Sequence, residues 1–155
     1  MKLRNRGFTL IELLVVMALI VVLAIIVLAA INPVEQLKKA KDAGRKIYAG
    51  ELLRAIERYQ VTRKENPVLS PTTPSITCEE IVDGEPVLDI SGLNGEVSSW
   101  FPGRIVEEEY RLYVGLLPSS GLAKICFQVE SVGNITKAVQ EGCFSSSKFY
   151  LCVPE

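Results

Sequence analysis

The sequence predicts an α+β protein: a long N-terminal α-helix, membrane-spanning in its first half and amphipathic in its second, packed on a small antiparallel β-sheet head. Three observations predict it. Leu13 to Ile31 is a run of nineteen residues without charge, amide or hydroxyl. At about 1.5 Å per residue it makes roughly 28 Å of helix, the thickness of a bilayer's hydrocarbon. A charged stretch with helical periodicity follows, and the last third holds strand-like runs separated by turn residues.

The chain has 155 residues, so with its first thirty or so committed to the apolar run it has room for one modest head. The charge is segregated: three bases in residues 1 to 7, nine bases and five acids in 34 to 65, five bases against twelve acids from Asn66 onward. A phosphate-binding surface would need its positive excess on the exposed head, so this does not look like a general nucleic-acid binder. There is no histidine, which removes the Ser-His-Asp and Cys-His arrangements, His-ligated zinc and the commonest general base. No enzymatic activity, cofactor or metal is expected. Cys78, Cys126, Cys143 and Cys152 contain no C-x-x-C pair and fit disulfides in an oxidising compartment better than zinc.

The N-terminus reads "MKLRNRGFTLIELLVV". A secretory signal has an apolar core of about 7 to 15 residues and a small-x-small cleavage site, and this core is too long and lacks the site. Base counting across the run, with Lys2, Arg4 and Arg6 before it and Lys38, Lys39, Lys41, Arg45 and Lys46 after it, would leave the head in the cytoplasm. The cysteines argue for the outside. A basic stub ending in Gly7, then Phe8, then Glu12 in a continuous apolar helix, resembles the type IV pilin superfamily, including the pseudopilins of secretion and DNA-uptake machines. The resemblance covers residues 1 to about 31 well and the stem to about 63 loosely.

That resemblance implies a leader, residues 1–7, cut between Gly7 and Phe8 by a membrane peptidase that also methylates the new amine of Phe8. It implies a transmembrane and filament-core helix at 8–31, an amphipathic stem at 32–64 and an extracellular disulfide-bonded β head at 65–155. Glu12 becomes the fifth mature residue and pairs with the Phe8 amine of a neighbouring subunit, which sets the axial register. A carboxylate inside a span costs ~2.5 to 3.5 kcal/mol at the bilayer centre, which marks it as functional by default. Snorkelling to the membrane edge is the simpler account. The implied partners are copies of the chain in a helical filament, the prepilin peptidase and methyltransferase, the assembly platform of a pilus or secretion machine, and the lipid bilayer before assembly. Nucleic acid enters only for a competence pilus. The implied location is the bacterial cytoplasmic membrane, head outside, and then the cell surface.

At the stem, Asn32 caps, Pro33 fits the first helical position and Glu35 completes an N-x-x-E box, so a break is expected at Asn32 and Pro33. Beyond it Val34, Leu37, Ala40, Gly44, Ile47, Leu52, Ala55, Ile56 and Tyr59 form an apolar stripe expected to face the head's sheet. The basic cluster Lys38 to Lys46 is read as a solvated face, or as a contact for acidic heads or anionic lipid.

"ENPVLSPTTPSIT" ends the helix in an extended linker. A short strand is expected at Pro86 to Ile90, with turns at Asp83-Gly84 and Asn94-Gly95. The clearest strands are 110–117 and 122–131, joined by "PSSG" as a hairpin, and 148–154. Ala123, Ile125, Phe127 and Val129, with Phe149, Leu151 and Val153, form the face toward the stem; Cys126 and Cys152 point to the other. Four cysteines allow three pairings. Cys143 to Cys152, which closes a short C-terminal loop as in the late disulfide of many pilins, leaves Cys78 to Cys126. The face argument permits Cys126 to Cys152 with Cys78 to Cys143 instead. The sequon Asn134-Ile135-Thr136 is placed in a turn and taken as unmodified, and Trp100 and Phe101 are taken as core anchors.

Three functions compete: a structural filament subunit, a minor pseudopilin that primes a secretion or DNA-uptake filament, and an uncleaved single-pass anchor displaying a binding head.

Overall fold

The computed structural model describes residues 7–69, 78, 81, 84–116, 120, 122–145 and 147–154. Two helices come first, α1 (Leu10–Ala30) and α2 (Pro33–Arg63). After a 3-10 turn at Ser91–Leu93 come α3 (Phe101–Val106) and a second 3-10 turn at Glu108–Tyr110. Then follow β1 (Leu112–Leu116), β2 (Ala123–Val129), α4 (Val132–Gln140), β3 (Phe144–Ser145) and β4 (Lys148–Val153). The chain divides into two compact units, one ending at Gln36 and one beginning at Leu37.

In the first unit α1 is apolar on every side beyond Glu12 in its first turn, and none of its residues is buried. Among the described residues it is the one helix long and apolar enough to cross a membrane. Ile31 leaves the helix in an extended conformation (φ −101°, ψ 119°). Asn32 Oδ1 then accepts the Glu35 N–H at 3.2 Å, and Pro33 opens α2 where its missing N–H leaves no helical bond unmade.

The second unit is a four-stranded antiparallel sheet in the order β1-β2-β4-β3 with α2 packed on one face. Leu112 stands opposite Phe127, and Phe127 opposite Leu151, so the odd positions of β2 and β4 share one side. Ala123, Ile125, Phe127, Val129, Leu151 and Val153 join Ala49, Leu52, Ala55 and Ile56 of α2 in the main core, which also takes in Phe101 and Ile105 of α3 and Ala138 of α4. Cys126 and Cys152 fall in a second, smaller cluster on the other face. The expected face assignment therefore holds, and the architecture is the expected α+β one.

Four expectations need correction. The apolar stripe of the stem is not buried as a whole: Val34, Leu37 and Ile47 are exposed, and the buried face runs Asp42, Arg45, Ala49, Leu52, Ile56. The buried register includes an ionised pair that apolar counting cannot see. Residues 86 to 90 form no strand; Val87 N–H donates to the Leu112 carbonyl at 2.7 Å, and pairing there is limited to a single bridge at Asp89. The sequon lies in α4, not in a turn. Phe101 is a core anchor, but Trp100 is 51 % exposed and meets Tyr48 edge-on, with centroids 5.8 Å apart.

Asn94-Gly95 turns as expected, with Gly95 at φ +91°. Asp83 of the other expected turn, and Pro118, Ser119 and Gly121 of the hairpin loop, lie outside the described residues.

Candidate functional site

The N-terminal segment is organised by one local device. Thr9 is extended (φ −84°, ψ 151°) and caps α1, its Oγ accepting the Glu12 N–H at 3.3 Å. Glu12 Oε2 in return accepts the Thr9 N–H at 2.9 Å and the Thr9 Oγ–H at 2.6 Å. This reciprocal capping box satisfies donors that the first helical turn leaves orphaned. It also puts a carboxylate where the helix dipole favours negative charge. The signal was T-x-x-E at positions 9 to 12, and reading Glu12 only as a charge in a span missed Thr9 as its partner.

Because the helix begins at Leu10, Gly7 and Phe8 precede it in non-helical, exposed backbone, and nothing lies within 4 Å of where a Cβ on Gly7 would stand. Phe8 is 79 % exposed and shares with Ile11, Glu12, Val15 and Val16 the edge of an open apolar depression of about 330 Å³. The remaining residues of the stub, 1 to 6, lie outside the described residues.

In the head, the most conspicuous charged group is Asp42 of α2, 1 % exposed. Its Oδ1 accepts the Glu130 N–H at 2.9 Å. Its Oδ2 accepts the Ser131 N–H at 3.0 Å, the Ser131 Oγ–H at 2.6 Å and the Asn134 Nδ2–H at 2.9 Å. Asp42 thus caps the N-terminus of α4 from another helix, where Ser131, the positional cap, makes no such bond. Burial pushes the carboxyl up, but the bonds from Ser131, Asn134 and Glu130 outweigh it and hold Asp42 below the usual carboxylate range. Arg45 completes the network: Nε donates to the Glu109 carbonyl at 2.6 Å, Nη1 to the Gln128 carbonyl at 3.1 Å and Nη2 to Glu130 Oε1 at 2.6 Å.

This dissolves the basic cluster as a single surface, since Arg45 is buried and Lys41 pairs with Glu109 at 2.8 Å. It also gives Asn134 a structural task, because its amide nitrogen already donates to Asp42.

The cysteines converge on the second cluster. The structure joins Cys126 to Cys152 and Cys78 to Cys143, the arrangement permitted by the face argument, in place of Cys143 to Cys152 with Cys78 to Cys126. Register is the reason: Cys126 and Cys152 are direct partners across β2 and β4, with Cα atoms 3.9 Å apart.

Residues 2–28 match the family model described as the prokaryotic N-terminal methylation motif. The matched stretch is the prepilin-type signal of type IV pilins and pseudopilins, and it contains the exposed Gly7–Phe8 junction, the capping box and most of α1. Compared with curated proteins and with solved structures, the chain matches none. A methylation motif, an apolar N-terminal helix and a disulfide-bonded head are features that fit a pilin, and the motif points to a structural subunit rather than an enzyme.

Proposed function

We propose that this chain is the structural subunit of a type IV pilus-like filament, made as a prepilin and cut between Gly7 and Phe8. Phe8 is then the methylated N-terminus, α1 holds the subunit in the cytoplasmic membrane with the head outside, and polymerisation carries α1 from lipid into a filament core. The observation that carries this reading is the coincidence of the motif at residues 2–28 with an exposed, non-helical Gly7–Phe8 bond directly before a capped apolar helix.

The chemistry follows from the cut. Hydrolysis of the Gly7–Phe8 bond converts the Phe8 amide nitrogen into a cationic amine, which stays cationic after N-methylation. Both bonds that the Glu12 carboxylate accepts from Thr9 end on Oε2, so Oε1 is the oxygen offered to an amine from a neighbouring subunit. In a low-dielectric core two unpaired charges are each costly and their pairing relieves both. Removing Lys2, Arg4 and Arg6 also leaves fourteen bases against eighteen acids, so the mature chain is acidic.

The intact mass of the membrane form tests processing: the reading requires an N-terminus at methylated Phe8, and an N-terminus at Met1 makes the chain an uncleaved anchor instead. For assembly, Glu12→Ala is expected to be processed and inserted normally yet to yield few or no filaments, and a normal filament yield would defeat the ion-pair role. Abundance in purified filaments separates a major subunit from a minor pseudopilin.

A further inference from the structure

Two disulfides need two pairs of neighbouring sulfurs, but here four sulfurs meet at one place. Cys126 on β2, Cys152 on β4, Cys143 just before β3 and Cys78 from the segment preceding the sheet hold all their Sγ atoms within 4.8 Å of one another. Sulfurs that belong to different bridges are as near as 3.2 Å (Cys78 and Cys152), 3.5 Å (Cys143 and Cys152) and 4.0 Å (Cys78 and Cys126). A tetrahedral zinc ion with Zn–S bonds of about 2.3 Å places its sulfurs about 3.8 Å apart, in the middle of these values.

The surroundings suit such an ion. Cys126, Cys143 and Cys152 are buried, with Ile81 and Tyr150 packed around them and Tyr113 at the edge, so water is largely excluded. A cavity of about 50 Å³ is lined by Cys78, Cys143 and Cys152 together with Lys124, Glu141 and Pro154. It leaves room for the sulfurs to spread from bridging to ligating distance. Four thiolates around one divalent ion carry a net charge of −2, and Lys124 brings a cation to the rim of the cavity.

We propose that in its thiol form this chain binds one zinc ion through Cys78, Cys126, Cys143 and Cys152, so that the tetrathiolate and the two disulfides are alternative closures of one cluster. In forming the site, four thiols lose four protons to solvent and bind Zn²⁺ with no change of oxidation state. Conversion to the bridged form takes two electrons from each cysteine pair. Two molecules of a disulfide oxidant such as oxidised glutathione accept the four electrons and, with four protons from solvent, become four thiols, while the ion is released. The ion would let the sheet close around Cys78 before oxidation, since soft thiolate sites contribute directly to folding. The inference is independent of the filament reading.

The test uses the full chain in detergent micelles, reduced and stripped of metal, titrated with Co²⁺ as a spectroscopic probe and then with Zn²⁺. The expected result is one Co²⁺ per chain with the absorption of a tetrahedral four-thiolate site, displacement by Zn²⁺, and protection of all four thiols from alkylation. The oxidised wild-type chain should bind none, a comparison that needs no mutation. Cys78→Ser should weaken binding by about tenfold or more while leaving the three sulfurs of the sheet region in place. The proposal is overturned if the reduced chain binds no stoichiometric ion, if its thiols alkylate freely at ion saturation, or if the oxidised chain binds equally well.

Discussion

Asp42 is the most deeply buried of the charged residues described. Its four hydrogen bonds to the connection after β2 and the first turn of α4 are made at 1 % exposure, so replacing one carboxylate oxygen by an amide turns acceptors into donors facing donors. Asp42→Asn should cost about 3 kcal/mol, because a buried partner is left unmatched and Arg45 loses a counter-charge; chemical denaturation of the head measures it. The pH dependence has a defined sign. A carboxyl held below its ordinary value of about 3.9 adds stability that is complete above that value and is lost as pH falls through the lower folded value. Wild type should therefore lose this increment in that acid window and Asp42→Asn should not, as paired acid titrations of the unfolding midpoint would reveal. Lys41 and Glu109 behave differently. Their hydrogen bond and mutual attraction raise the lysine and lower the glutamate, but both side chains are more than a third exposed and solvent screens them. Lys41→Ala should leave the unfolding midpoint essentially unchanged.

At the scale of elements, α2 has two lives along its length. Its later turns insert Leu52, Ala55 and Ile56, all fully buried, against β2 and β4. Leu52→Ala should cost about 2 to 5 kcal/mol by lost burial and the cavity it leaves, whereas Ile47→Ala, at 68 % exposure, should cost almost nothing; thermal unfolding of the two variants would compare them. The 3-10 turn at Ser91–Leu93 shows a tighter constraint. A Cβ on Gly92 would overlap the Val68 carbonyl oxygen and stand 2.9 Å from the Val68 nitrogen, so two backbone segments touch where only hydrogen fits. Gly92→Ala should destabilise the head by about 1 to 3 kcal/mol, the usual toll of forced backbone shifts; a variant as stable as wild type would mean that the linker at Val68 yields freely.

For the whole molecule, the bridges staple a head whose core is small. Peptide mapping without reduction should recover Cys126 with Cys152 and Cys78 with Cys143, and reducing both should lower stability by about 2 to 4 kcal/mol for each bridge. By itself the sequence determined the membrane-length helix, its break at Asn32, the alternating strands and the prepilin-type start at Gly7, Phe8 and Glu12. Each of these is written in neighbouring residues: a continuous apolar run, a proline, a period of two, a short motif. Tertiary structure alone decided which cysteines meet, which face of α2 is buried, and that Asp42 rather than Ser131 caps α4. Those choices depend on groups 26 to 92 positions apart in the chain. A charged residue counts as surface in any local pattern until distant backbone donors fold onto it and take the place of water.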